Sequence, residues 1–161
     1  MHVLIVHHSR TGNTEKLAQA IAAGVKRVAG VDCVLKPVAE IELEDLFAAD
    51  GIIAGSPSYY GTMASELKEM FDRIFNDRPK MLDKIGAAFA TAGHPTGGCE
   101  TTMVAILEAM LVCGMLVCSD PPQAGGHYGV GSVGVPGDRE IKWANLLGER
   151  VASLVLKMSS S

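Results

Sequence analysis

Three short stretches of this chain gather side chains suited to holding a phosphorylated, planar ligand. The first, Ser9 to Thr14, reads S-R-T-G-N-T and opens a helical pattern. A helix N-terminus offers unpaired N–H donors and about half a positive charge, so a phosphate fits there. Gly12 lets the backbone come close to a ligand, and Ser9, Thr11, Asn13 and Thr14 add donors beside Arg10. The same cluster would also cap a helix with no ligand at all. A Walker loop is excluded, because no G-K-[ST] follows. The second stretch, Ser56 to Thr62, reads S-P-S-Y-Y-G-T and holds two of the three tyrosines, Tyr59 and Tyr60. Either ring could stack on a planar ligand, a contact worth ~0.5–1.5 kcal/mol beyond burial. Either could equally pack on the neighbouring loop. The third, Thr91 to Gly98, reads T-A-G-H-P-T-G-G. Gly93, Gly97 and Gly98 let backbone N–H groups face a ligand, and His94 either donates to an anionic ring or is simply exposed.

These loops need a scaffold, and short apolar runs alternating with helical patterns supply one. His2 to His7, Asp32 to Val38, Gly51 to Gly55, Ile85 to Ala92 and Met115 to Cys118 read as strands. Thr14 to Val28, with Leu17, Ile21, Val25 and Val28 on one face, reads as a helix, and a short acidic helix spans Glu42 to Ala49. A third helix covers Ser65 to Phe75, turning Leu67, Met70, Phe71, Ile74 and Phe75 inward. The fourth runs from about Glu100 to Val112 and buries Met103, Ile106, Leu107, Met110 and Leu111. The last spans Asp138 to Met158, with Asp138 as N-cap and Ala144, Leu147, Val151, Leu154 and Met158 facing inward. Alternation of this kind calls for a parallel sheet with helices on both faces. Five strands in so short a chain favour an α/β, flavodoxin-like three-layer sandwich of order 2-1-3-4-5, with ligands beyond the carboxyl ends of the strands.

The 161 residues suit one domain, 1–161, without a linker or repeat. Fourteen basic against eighteen acidic side chains give a formal charge of −4, which argues against a nucleic-acid binder. Cys33, Cys99, Cys113 and Cys118 form no C-x-x-C pair, so reduced, mostly buried thiols in a cytoplasmic protein are expected. The apolar opening M-H-V-L-I-V-H-H has no basic leader or cleavage site and is not expected to be a signal peptide. No apolar run reaches the ~18 residues of a membrane span. Ser159 to Ser161 are expected to form a solvated end. Of the 18 glycines, Gly12, Gly55, Gly61, Gly93, Gly97 and Gly98 fall at the three loops. Six more fall in the long segment Ser119 to Gly137, which is expected to be a lid or subunit contact. Within it, Gly129 to Gly134 matches G-x-G-x-x-G, yet it does not run from a strand into a helix and carries no dinucleotide reading. His127 and Tyr128 either reach a ligand across an interface or pack within the segment.

The S-R-T-G-N-T loop is similar to the phosphate loop of flavodoxins. S-P-S-Y-Y-G-T-M, the helix after it and T-A-G-H-P-T-G-G resemble the multimeric flavodoxin-like NAD(P)H:quinone oxidoreductases of the WrbA group, over nearly the whole chain. This resemblance implies bound FMN, with NAD(P)H as electron donor. Ser9, Arg10, Thr11, Gly12, Asn13 and Thr14 would hold its phosphate. Pro57, Ser58, Tyr59, Tyr60 and Gly61 would flank the isoalloxazine. Thr91, Ala92, Gly93, His94, Gly97 and Gly98 would meet its pyrimidine edge and ribityl side. Three departures concern the quinone pocket and the tetramer rather than FMN. The segment between the second and third strands, Val38 to Asp50, is short; the group's flavin-side histidine falls on Val112 or Cys113; and the only tryptophan is Trp143, in the last helix.

Other chemistries of such a fold lack their residues. A low-molecular-weight phosphatase needs a Cys with an Arg six positions on, and Cys99 has Ala105 there. A response regulator needs acidic groups where His7, His8 and Ser56 stand. The His7–His8 pair has no further metal ligands at recognised spacing, and no G-x-S-x-G elbow occurs. The function that the resemblance implies is an FMN-dependent oxidoreductase. It would pass electrons from NAD(P)H to a quinone-like acceptor, with no side chain as strong acid or base, and would act as a dimer or tetramer. A flavodoxin-type electron carrier is the alternative. The modest charge and the absence of an aromatic from the third loop favour the reductase.

Overall fold

The computed structural model describes residues 1–159. Six strands and five α-helices alternate along it. They are β1 His2–His7, α1 Asn13–Val25, β2 Asp32–Pro37, α2 Leu43–Ala48, β3 Gly51–Pro57, α3 Ser65–Arg73, β4 Ile85–Ala92, α4 Cys99–Val112, β5 Leu116–Val117, β6 Val130–Val133 and α5 Asp138–Ser159. The sheet runs β2-β1-β3-β4-β5, with β6 also paired to β4, and every pairing is parallel. Successive side chains in a strand point to opposite faces, so the near-continuous apolar runs of β1, β3 and β4 feed two cores. Leu4, Val6, Ile52 and Ala88 pack beneath α2, α3 and α4. Val3, Ile5, Ile53 and Phe89 pack beneath α1 and α5. The three-layer sandwich and the strand order are as expected from the sequence.

Several details depart from expectation. β5 is only two residues long and pairs with Ile85 and Gly86 at the start of β4, whereas β6 pairs with Phe89 to Ala92 at its end. Both lie along one edge of β4, so the fifth strand is split. Much of what reads as a lid between Ser119 and Gly137 is the excursion between its halves. Part of the G-x-G-x-x-G match is thus strand β6 itself. Among its glycines, a Cβ at Gly129 would overlap the Ala88 carbonyl, so only glycine lets the returning chain close on β4. The α1 helix stops at Val25 rather than Val28. The α3 helix stops at Arg73, and a 3-10 turn over Phe75–Met81 swings Phe75 outward to 80% exposure. Leu111 and Met158, expected inside, are also exposed. Asp138 is the first helical residue rather than the cap; the Gly137 carbonyl accepts the first helical bond, from Ile141 N–H at 3.0 Å. Gly55 does not serve a loop: a Cβ there would overlap the Phe89 ring, so it is a packing residue under the sheet. All four cysteines are free, with Cys99 and Cys113 buried. Ser159 is helical, while Ser160 and Ser161 lie outside the described residues.

Candidate functional site

β1, β3 and β4 are neighbours in the sheet, so the three loops that follow them emerge side by side at its carboxyl edge. In the first loop Gly12 adopts φ 87°, the left-handed region that glycine enters without steric cost. This turn closes with the Gly12 N–H donating to Ser9 Oγ at 3.2 Å, and α1 begins as the Lys16 N–H donates to the Gly12 carbonyl at 2.9 Å. The amides of Asn13, Thr14 and Glu15 precede that first bond and have no intrahelical acceptor. No atom lies within 4 Å of where a Gly12 Cβ would stand, so this backbone faces open space. Ser9 and Asn13 are half-buried, and Arg10 and Thr11 are exposed. Thr14 is different. It is buried, and its Oγ1 lies 2.8 Å from Thr91 Oγ1, tying the first loop to the third.

The second loop is locked at both ends. Ser56 Oγ accepts the Ala64 N–H at 2.8 Å and donates to the Pro57 carbonyl at 2.7 Å. Tyr59 and Thr62 exchange backbone bonds of 2.9 and 3.1 Å across a two-residue turn whose corners, Tyr60 and Gly61, have φ 51° and 79°. That is the primed hairpin turn. It leaves the Tyr60 ring fully exposed while Tyr59 is half-buried. In the third loop, Gly93 to Thr96 are exposed, and a turn closes with Gly97 N–H on the His94 carbonyl at 2.8 Å. His94 Nδ1 lies 2.9 Å from Thr96 Oγ1.

A clamp of hydroxyls fixes the second loop to the third. The Ser58 N–H donates to the Thr91 carbonyl at 2.7 Å, and Ser58 Oγ donates to the Gly98 carbonyl at 3.1 Å. Thr102 Oγ1, fully buried in α4, donates to Ser58 Oγ at 2.8 Å, and Thr101 Oγ1 donates to the Gly61 carbonyl at 2.6 Å. Gly98, at φ 91°, leaves no room for a side chain, since a Cβ would sit 3.0 Å from Gly61 Cα.

All of the residues expected to bind a ligand thus lie on three adjacent loops or on the strand ends and helix start that flank them. Sequence reasoning missed Thr101 and Thr102, the clamp's hydroxyls, although their place in the first turn after a glycine loop is a usable signal. It weighed His8 only as a metal ligand, and it passed over Glu66. His8 lies edge-on to Tyr59, with ring centroids 6.3 Å apart and planes at 77°, and the Arg10 guanidinium sits 5.4 Å from the same ring's centre. His8 Nε2 is 3.6 Å from Glu66 Oε1. Glu66's own N–H chiefly holds its carboxyl below the ordinary range, with smaller contributions from the Ser65 hydroxyl, His8 and Arg10, against some desolvation. Burial pushes the His7 imidazole down, and Glu15 partly opposes this. Burial likewise raises the Cys99 thiol, which therefore stays protonated. His127 and Tyr128 line another cleft, of about 660 Å³, between α4, β6 and the start of α5; the third loop borders it through Pro95. The buried Asp120 shapes that wall by accepting N–H bonds from Gly126, His127 and Gly129 at 2.9, 2.8 and 3.2 Å.

Comparison with known proteins agrees with this geometry. The chain is 34% identical to an NAD(P)H dehydrogenase (quinone) of Archaeoglobus fulgidus, covering 97% of this chain and 98% of that one. It is 36% identical to a flavodoxin of Aquifex aeolicus, covering 95% and 86%. A WrbA-like flavodoxin structure from Agrobacterium tumefaciens superposes with TM-score 0.82 at 22% identity, covering 97% and 98%, a likeness of fold. An archaeal flavodoxin structure superposes with TM-score 0.81 at 27% identity, covering 97% and 99%. The family model for NADPH-dependent FMN reductase matches residues 1–127, every one of the three loops included, and the chain belongs to that family.

Proposed function

We propose that residues 1–161 act as one FMN-binding unit that takes electrons from NAD(P)H and passes them to a quinone-like acceptor. The observation that carries this reading is the convergence of an anion cradle at the start of α1 with two clamped loops, in a chain of this family. FMN fits the residues present. Its dianionic phosphate matches the open amides of Asn13 to Glu15, the hydroxyls of Ser9 and Thr11 and the Asn13 amide. Thr14 would contribute through its N–H, since its hydroxyl is engaged with Thr91. Arg10 adds a positive charge beside Tyr59.

When bound, FMN supplies the hydride-accepting and electron-donating chemistry. The chain's own work is to bind, orient and stabilise. Pro57, Ser58, Tyr59, Tyr60 and Gly61 would flank the ring, with Tyr60 free to cover it. Thr91, Ala92, Gly93, His94, Gly97 and Gly98 would line the pyrimidine edge and ribityl side. Fixed backbone dipoles there oppose negative charge without reorganising, because the clamp already holds them in place. The test is to purify the protein with FMN, record the flavin spectrum, and add NADH or NADPH without oxygen. Bleaching followed by reoxidation with benzoquinone supports the reading, and no retention of FMN sinks it.

One observation favours a second reading, an electron carrier without its own NAD(P)H activity. The alignment to the Archaeoglobus dehydrogenase runs over 189 positions, longer than this 161-residue chain, whereas that to the Aquifex flavodoxin runs over 159. FMN retention without bleaching by either nicotinamide would select the carrier. We further propose a cytoplasmic homo-oligomer. Support for the oligomer is the exposed apolar surface of Phe75 and Val112, which line a cleft of about 590 Å³ between α3 and α4, and support for the cytoplasm is that all four cysteines are free. Among the described residues, no helix is long and apolar enough to cross a membrane.

A further inference from the structure

We propose that His8 is a positioning residue, paired with Glu66, whose protonation draws the Tyr59 loop against the phosphate loop and tightens FMN binding. The inference rests on the FMN reading above and adds a pH-dependent control to it. His8 stands between the last residue of β1 and Ser9, the first residue of the phosphate cradle. Its side chain is only 15% exposed, and Nε2 is a buried nitrogen with no hydrogen-bond partner. Such an atom is costly unless something satisfies it. The group facing it is Glu66 Oε1, from the first turn of α3, at 3.6 Å, just beyond hydrogen-bond length. A small rotation of either side chain would close that gap, and a proton on the imidazole supplies the reason to close it.

The consequence passes through Tyr59. Its ring meets His8 edge-on and the Arg10 guanidinium at 5.4 Å, so two first-loop side chains grip one second-loop ring. Imidazole is the side chain whose charge ordinarily changes between pH 5 and 8. A cation at His8 would attract the Glu66 carboxylate in the first turn of α3, which follows directly on the second loop, and so draw that loop toward the first. Other charged or titratable groups face this cluster. They are His7 on β1, buried and adjacent; Glu15 on α1, which acts on His7; Arg10 on the first loop; and the Tyr59 hydroxyl. Sequence gives no hint of the pairing, because 58 positions separate its members.

The experiment measures FMN dissociation constants by fluorescence quenching from pH 5.5 to 8, for the wild type, His8→Gln and Glu66→Gln. The flavin's own phosphate titrates identically in all three, so only the difference between profiles counts. The wild type should gain about two- to fivefold more affinity on acidification than either variant, the size of a partly exposed ion pair. Alongside, NMR of the apo protein should show Tyr59 ring signals that change with pH in the wild type and lose that change in Glu66→Gln. Parallel binding profiles would overturn the inference, as would Tyr59 ring signals that follow pH equally in the wild type and Glu66→Gln. Should His8→Gln fail to fold, Glu66→Gln carries both readouts, since Glu66 is 41% exposed. Loss of FMN binding at every pH in the wild type would instead overturn the FMN reading, and this one with it.

Discussion

Replacing Ser58 by alanine tests the clamp that joins the second and third loops. The variant loses a bond of 3.1 Å to the Gly98 carbonyl and strips the acceptor, at 2.8 Å, from the fully buried Thr102 hydroxyl. A lost bond costs about 0.5–1.5 kcal/mol, and a stranded buried hydroxyl about 1–3 kcal/mol. The second cost is softened here. The Gly98 carbonyl also receives the Thr101 hydroxyl at 3.1 Å and the Thr102 N–H at 3.0 Å, so Ser58's departure opens it to the Thr102 hydroxyl one turn on. A net loss of about 1–2 kcal/mol follows, read as a fall of about 3–6 °C in the Tm of the apo protein. Because the loops are then less well held before FMN arrives, FMN affinity should drop about three- to tenfold. Adding Thr102→Val removes what remains of the hydroxyl's cost and should restore part of the Tm while leaving FMN binding weak. Thr102→Val alone, with Ser58 intact, separates the clamp from direct contact, because the threonine is buried away from the open loop surface. An unchanged Tm in Ser58→Ala, or a double variant that recovers none of it, would refute this reasoning.

Three further perturbations address other parts of the molecule. Thr11→Ala with Asn13→Ala should weaken FMN about tenfold but leave riboflavin binding and the apo Tm nearly unchanged, because Thr11 is exposed and Asn13 is outside the core; equal loss for both flavins would displace the phosphate from this loop. Gly55→Ala should cost about 2–3 kcal/mol in urea denaturation, since its Cβ would overlap Phe89, and a smaller residue at position 89 should return part of that stability. Acid stability should depend on Asp45. Its carboxyl is held below the ordinary range, first by the Lys36 ammonium at 2.7 Å and then by the Glu42 N–H. A depressed folded-state pKa contributes stability above the unfolded value of about 3.9, lost as pH falls through the folded one. The urea midpoint of Lys36→Met should therefore fall less steeply below pH 4 than that of the wild type.

Much of the scaffold is legible because burial on both faces leaves a plain mark. β1 and β4 span His2–His7 and Ile85–Ala92, as their unbroken apolar runs imply. The candidate loops follow from the same logic, since the Gly, Ser and Thr punctuation falls at the carboxyl ends of adjacent strands, where such sheets hold ligands. What escapes is what depends on distant partners. β6 reads V-G-S-V inside a glycine- and proline-rich segment, and its extended state comes from pairing with β4 forty residues earlier rather than from propensity. Phase was lost at Phe75 because helical periodicity continues on paper while Pro79 and the 3-10 turn change the rotation per residue. The clamp joins Ser58 to Gly98 and Thr102, at separations of 40 and 44, and no local pattern announces a hydroxyl pair.

Tyr60 is where stability and binding make opposite demands. Its φ of 51° is left-handed, which costs a residue with a Cβ about 1–2 kcal/mol, and its fully exposed ring recovers nothing by burial. A residue chosen for folding alone would be glycine, as at Gly61 beside it. Tyr60→Gly should therefore stabilise the apo protein, by about 0.5–1 kcal/mol once the extra entropy of unfolded glycine is subtracted. If the ring serves to cover bound flavin, the same change should weaken FMN by the worth of a stacking contact, about 0.5–1.5 kcal/mol or two- to tenfold. Thermal denaturation without ligand and fluorescence titration with FMN read the two effects separately. A variant that is more stable and binds FMN unchanged would show that the strain at Tyr60 serves something other than the flavin. One that is less stable would show that the turn itself prefers tyrosine, and the argument from strain to function would fail.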